Sequence, residues 1–163
     1  MDILDEEFIA FWRILNKYEV RYIMVGGLAT FFHGYNRVTQ DVDMWIDDTQ
    51  ENRQRLRRAF KELGHGDLAS LETMEFVPGW TTFYAAGVEL DIMTSMKGLE
   101  DESFATCYEH AAIVVLEGEK VPFLHINHLI ANKKAVNRPK DQMDVLHLEE
   151  IIKLKEKTDK PTN

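Results

Sequence analysis

A single cysteine, Cys107, stands among 163 residues, so no disulfide forms within the chain and thiolate-rich zinc sites lack ligands. His65, His110, His125, His128 and His147 add no recognisable zinc spacing. Apolar runs approaching the roughly 20 residues that cross a bilayer are missing, and no basic-then-apolar leader precedes the acidic start Met1-Asp2-Ile3-Leu4-Asp5-Glu6. Positive charge is scarce. Nineteen Lys and Arg face 28 Asp and Glu, a net charge of -9, which argues against the diffuse positive field behind sequence-independent nucleic-acid binding. Any grip on RNA or DNA is therefore expected to be local. These absences point to a soluble protein in a reducing, cytoplasmic setting, with no membrane partner.

What is present suits one domain. A hydrophobic content of 45% supports a packed core, and the length fits a single unit over residues 1–156. The polar end from Lys157 to Asn163, with Pro161, is expected to be disordered. Phe8, Phe11, Trp12 and Leu15 recur at helical spacing within residues 5–17, and acids open that segment where the helix dipole favours them. Strands are expected at Arg21 to Val25 and Val42 to Ile46, with a short helix from Leu28 to His33 between them. Residues 49–63 read as an amphipathic helix with Leu56, Phe60 and Leu63 inward and an arginine-rich outer face. A three-strand meander follows over Met74 to Val77, Thr81 to Ala85 and Val88 to Met93, with Pro78-Gly79 and Ala86-Gly87 as turns. Further on come a helix at Phe104 to His110 and a hairpin of Ile113 to Leu116 with Lys120 to Leu124. A C-terminal helical segment, about residues 126–156, closes the chain, with Pro139 as a first helical residue. The expected fold class is α/β (α+β), a small mixed sheet flanked by helices.

The chemistry concentrates between Ile23 and Asp47. Gly26-Gly27 follows the apolar run Tyr22-Ile23-Met24-Val25, and a diglycine at a strand end lets backbone approach a phosphate. Asp41 and Asp43 flank Val42, so alternation puts both carboxylates on one strand face while Val42 points inward. Acids in an apolar strand are costly unless solvated at its end or bound to a cation. Glu89 and Asp91 share a face of Val88-Glu89-Leu90-Asp91-Ile92 and complete a triad if that strand neighbours the first pair. Oxygen-only ligands with open positions suit Mg²⁺ or Mn²⁺, and two such ions would clamp the oxygens of a phosphoryl displacement.

This ordered set resembles the DNA polymerase β-type nucleotidyltransferase superfamily. Gly26-Gly27-Leu28-Ala29, His33-Gly34, Arg37-Val38-Thr39-Gln40-Asp41-Val42-Asp43, Leu129 to Ala135 and Arg138-Pro139-Lys140-Asp141 are similar to its small prokaryotic members related to toxin-antitoxin and abortive-infection systems. The resemblance covers roughly residues 20–150. It implies a nucleotidyltransferase fold in which Gly26 and Gly27 hold the triphosphate of an incoming nucleoside triphosphate. Asp41 and Asp43 would bind the metals, and Asp91 would be the third carboxylate, helping to deprotonate an acceptor hydroxyl. Glu89 stays open as an alternative to Asp91. Many relatives carry serine at the second position of the diglycine, so Gly27 leaves only backbone contacts there.

Several residues keep two readings. Arg37 can face a phosphate or the carboxylates, or form a structural salt bridge. His33 can reach the nucleotide or serve as a packing histidine, and Thr39 can satisfy loop backbone. Lys120 to Lys140 carries five bases and no acid. Since the resemblance places a C-terminal helical segment beside the cleft, Lys133 and Lys140 are candidates to neutralise a triphosphate or RNA backbone, against a plainly solvated helix face. Asp141 and Asp144 fit capping and pairing with nearby bases better than metal binding. Trp80, Phe83 and Tyr84 can stack on a base or belong to the core.

Together these readings predict metal-dependent transfer of a nucleoside monophosphate to a hydroxyl of RNA, protein or a small molecule. Two rivals remain: a catalytically idle antitoxin or partner of a cognate toxin or antitoxin protein, and a phosphohydrolase using water as acceptor.

Overall fold

The computed structural model of the protein describes Asp2 and residues 4–161. Its elements follow the order α1 (Glu6–Lys17), β1 (Tyr22–Val25), α2 (Gly26–Phe32), β2 (Asp41–Ile46), α3 (Gln50–Phe60), β3 (Thr82–Ala85), β4 (Val88–Met93), α4 (Phe104–His110), β5 (Ala112–Leu116), β6 (Glu119–Phe123), α5 (Ile126–Val136) and α6 (Pro139–Thr158). The strands form one mixed sheet in the order β3-β4-β2-β1-β6-β5. β1 pairs antiparallel with β2 and parallel with β6. β2 runs parallel to β4, and antiparallel neighbours β3 and β5 close the two edges. This is the mixed sheet flanked by helices that the sequence predicts. Among the described residues no helix is long and apolar enough to cross a membrane.

Burial explains the strand order. All four residues of β1 are buried, as a central strand covered on both faces requires. In β2 the N-terminal Asp41 is exposed, whereas Met44, Trp45 and Ile46 are buried, so the strand enters the core from a polar rim. Helix α1 buries Phe8, Phe11, Trp12 and Leu15, and the Asp5 carboxylate caps it by accepting from the Glu7 N–H at 2.8 Å. One polar side chain ties the centre together. Asn52, fully buried in α3, accepts from the Arg21 N–H at 2.7 Å and donates to the carbonyls of Arg21 and Asp47 at 3.0 and 2.8 Å. It thereby joins the start of β1 to the end of β2.

The expected strand at Met74 to Val77 does not form. Its apolar pattern reflects Phe76, which is buried beneath the Arg53 guanidinium at 4.8 Å, while Arg53 Nη1 donates to the Met74 carbonyl at 2.7 Å. The segment is thus held by an arginine rather than by a ladder, and β3 becomes the sheet edge. Helix α2 starts at Gly26, two residues before the expected Leu28. The arginine face of α3 is largely neutralised: Arg53 pairs with Asp48, Arg55 with Glu51, and Arg57 with Asp67 and Glu72. Helix α6 runs to Thr158, into the segment expected to be disordered, whose last residues Thr162 and Asn163 lie outside the described ones.

Replacing Asn52 by leucine removes three hydrogen bonds and leaves the Arg21 N–H and the Asp47 carbonyl without this partner, while the Arg21 carbonyl keeps the Asp47 N–H. Asn52→Leu is expected to lower stability by on the order of 2–4 kcal/mol, read as a lower urea midpoint with an unchanged denaturant slope; an unchanged midpoint would contradict the knitting role.

Candidate active site

Pairing of β2 with β4 sets Asp41 opposite Glu89, Val42 opposite Leu90 and Asp43 opposite Asp91. Opposed residues of neighbouring strands project to the same side, with strands about 4.8 Å apart. The four acids therefore share one face while Val42 and Leu90 fill the core on the other. The row continues outward, because Thr82 lies opposite Asp91 and Tyr84 opposite Glu89, to which the Tyr84 hydroxyl donates at 3.3 Å. Asp91 sits deeper than the exposed Glu89. One oxygen of Asp91 accepts from the Gly79 N–H at 2.8 Å, and its other oxygen is buried with no hydrogen-bond partner.

Crowding changes the acids. Burial pushes the Asp43 carboxyl up to about 6, with Asp41 and Asp91 repelling in the same direction and Lys133 and Lys140 opposing. Asp91 is also raised, chiefly by burial, against the Gly79 hydrogen bond and with a further push from Asp41. Among the described residues no three acidic, histidine or cysteine side chains already close into a metal cage. The backbone gathers the carboxylates, and the Gly79 amide engages one of them.

The diglycine lies directly against this ledge. Gly26 has φ +63°, and a Cβ there would overlap Asp43 Oδ2, so only glycine admits the carboxylate at this distance. A Cβ at Gly27 would meet Thr39 Oγ1 at 2.7 Å and Arg37 Nη2 at 3.1 Å. Side chains of the following loop thus rest on bare backbone.

The opposite wall comes from α5 and α6. Lys133 is buried, with Nζ 2.7 Å from Asp144 and 3.7 Å from Asp141. Asp141 caps α6, accepting from the Arg138 N–H at 3.0 Å and from Arg138 Nε at 2.7 Å. Arg37 Nε lies 3.0 Å from Asp144. Lys140 is exposed on the rim. Asp41, Asp43, Asp91, Gly26, Gly27, Arg37, Lys133 and Lys140 all border one cleft of about 930 Å³. Two smaller clefts, about 370 and 380 Å³, run along α3 among its paired arginines.

Sequence reasoning missed several wall residues. Ser95, Lys97 and Asn132 line the far side, where Asn132 donates to the Lys97 carbonyl at 2.8 Å. Gly98, at φ +86°, packs so closely on α5 that a Cβ would come within 2.7 Å of the Ala131 carbonyl oxygen; that glycine was the available signal. His33 is a packing histidine, its Nε2 2.7 Å from the Leu124 carbonyl oxygen and its ring held below the usual histidine range by burial. Cys107 is buried. Trp80 and Tyr84 are exposed, at 87% and 66%, whereas Phe83 packs edge-on against Phe60.

No protein-family model and no curated protein matches this sequence. Solved structures do match the fold. A candidate nucleotidyltransferase from Thermotoga maritima superposes with a TM-score of 0.52 at 18% identity, covering 91% of this chain and 88% of the other. An antigenic nucleotidyltransferase-like protein from Paracoccidioides brasiliensis gives 0.56 at 16% identity, over 91% and 75% respectively. The fold is that of nucleotidyltransferase-like proteins.

Asp43 sets a pH dependence. Because its carboxyl is raised in the folded chain, its contribution to stability is fully present below about 3.8 and is lost as pH rises through about 6. Asp43→Asn, which cannot ionise, is expected to stabilise the metal-free protein at neutral pH by on the order of 2 kcal/mol and to match the parent in acid. Urea midpoints across pH check this; a variant less stable than its parent at neutral pH would contradict it.

Proposed function

We propose that the cleft carries out metal-dependent nucleotidyl transfer, moving a nucleoside monophosphate from a nucleoside triphosphate to an acceptor hydroxyl with release of pyrophosphate. The observation that carries this reading is the register that sets Asp43 opposite Asp91 and against Gly26. Asp41, Asp43 and Asp91 form an oxygen-only donor set, and the buried, unpartnered oxygen of Asp91 fits a cation. Bound there, Mg²⁺ or Mn²⁺ would neutralise charge on the reacting phosphoryl oxygens.

The chain's own groups supply the rest. Gly26 and Gly27 offer backbone that a triphosphate can approach closely, and Arg37 and Lys140 offer positive charge from the loop and the rim. The acceptor oxygen forms a bond to the α-phosphorus while the bond to the bridging oxygen breaks. Asp91, whose carboxyl burial raises above the ordinary aspartate value, takes the hydroxyl proton. Pyrophosphate then leaves toward the basic wall. RNA, a protein and a small molecule are the acceptor classes to assay.

A second reading, a catalytically idle partner of a cognate toxin or antitoxin protein, draws support from Met143, Leu146 and Leu154, three exposed apolar side chains on α6.

Incubation of the purified protein with Mn²⁺, each of four α-labelled triphosphates and pooled acceptors tests the choice. Label transfer with pyrophosphate release is expected, and Asp43→Asn should reduce it by about a thousandfold or more while its far-UV circular dichroism stays unchanged. Full turnover by that variant would remove the metal mechanism, and absence of both transfer and triphosphate binding in the parent would favour the idle partner.

A further inference from the structure

We infer that Asp144, inside α6, is a positioning residue for phosphate binding: it holds the Arg37 guanidinium over Gly27, so that the C-terminal helix pair sets the affinity of the cleft for a polyphosphate. This rests on the nucleotidyl-transfer reading and adds to it a residue behind the cleft wall.

Two cations meet the Asp144 carboxylate. Oδ1 lies 3.0 Å from Arg37 Nε, and Oδ2 accepts from Lys133 Nζ at 2.7 Å, with Asp144 itself 1% exposed. A guanidinium is planar and rigid, so the charge of Asp144 beside its Nε turns the outer nitrogens away from that carboxylate, toward the cleft. Arg37 Nη2 accordingly sits 3.1 Å from the point where a Cβ of residue 27 would be. The Thr39 hydroxyl, which donates to the Asp41 carbonyl at 3.0 Å, approaches the same point to 2.7 Å. The space that a side chain at position 27 would fill thus holds an arginine fork and a hydroxyl brought in from the neighbouring loop.

Charge balance points the same way. Arg37, Lys133 and Arg138 meet Asp141 and Asp144, so the cluster carries one more cation than anions. With its side chain 23% exposed, Arg37 opens onto the cleft, while its Nε is buried beside Asp144 in an ion pair that makes no hydrogen bond. An arginine can serve two anions through different edges of its fork, which the compact ammonium of lysine cannot do. Asp144 takes one edge, and a phosphate at the diglycine takes the other.

Calorimetric titration with magnesium tripolyphosphate, which carries no base, tests the coupling. Arg37→Gln and Asp144→Asn are each expected to weaken its binding about tenfold. The double variant should be no more than about twofold weaker than the worse single variant, because Asp144 acts through Arg37. Losses that multiply in the double variant would overturn the positioning role. Should Asp144→Asn fail to fold, Arg37→Lys decides: it keeps the charge but loses the fork, and an unchanged affinity would overturn the inference, whereas an equal tenfold loss supports it. Failure of the parent to bind tripolyphosphate would overturn this inference and the nucleotidyl-transfer reading together; multiplied losses in a parent that binds would overturn the positioning role alone.

Discussion

Like charges brought side by side against their repulsion are the constraint on which this structure turns. Hydrophobic burial enforces it. Val42, Met44, Leu90 and Ile92 are buried almost completely, and a one-residue slip of β2 against β4 would send acids into the core and apolar groups to the cleft. The core thus fixes the register, and the register fixes the carboxylates. Asp43 bears the consequence, raised to about 6 by burial and by its acidic neighbours.

Everything around the ledge tempers that repulsion or exploits it. Lys133 and Lys140 draw the Asp43 carboxyl back down, and the Gly79 amide holds one oxygen of Asp91. Gly26 lets the Asp43 side chain lie against backbone. The buried Lys133–Asp144 pair, with Arg37 and Arg138 at its more exposed edges, joins the loop after α2 to α5 and α6, and losing either buried partner strands a charge at a cost of about 3–5 kcal/mol. The fold therefore places an acidic floor and a basic wall across one cleft, the polarity that a metal and a polyphosphate would each use.

Much of this was legible in the chain. Alternation in Asp41-Val42-Asp43 and in Glu89-Leu90-Asp91 gave the shared face, and Gly26-Gly27 after an apolar run gave the bare backbone beside it. What stayed hidden depends on contacts distant in sequence. The Met74 to Val77 segment carries a strand-like pattern because Phe76 is buried, yet Arg53 takes up the Met74 carbonyl from α3. Whether Lys133 faces solvent or Asp144 is settled by the packing of α5 on α6, which no local pattern encodes. Likewise, Arg37 kept two readings because a loop arginine pairs according to what the tertiary fold brings near. It pairs with Asp144 through Nε and meets the diglycine through Nη2.

Crystals grown with Mn²⁺ and a non-hydrolysable triphosphate test directly, through anomalous scattering, whether the three carboxylates converge on a cation. Manganese peaks are expected within coordination distance of Asp41, Asp43 and Asp91, with Asp91 drawn off the Gly79 amide and the phosphates beside Gly26 and Gly27. Manganese-free difference maps with Asp91 still bound to Gly79 would contradict that convergence.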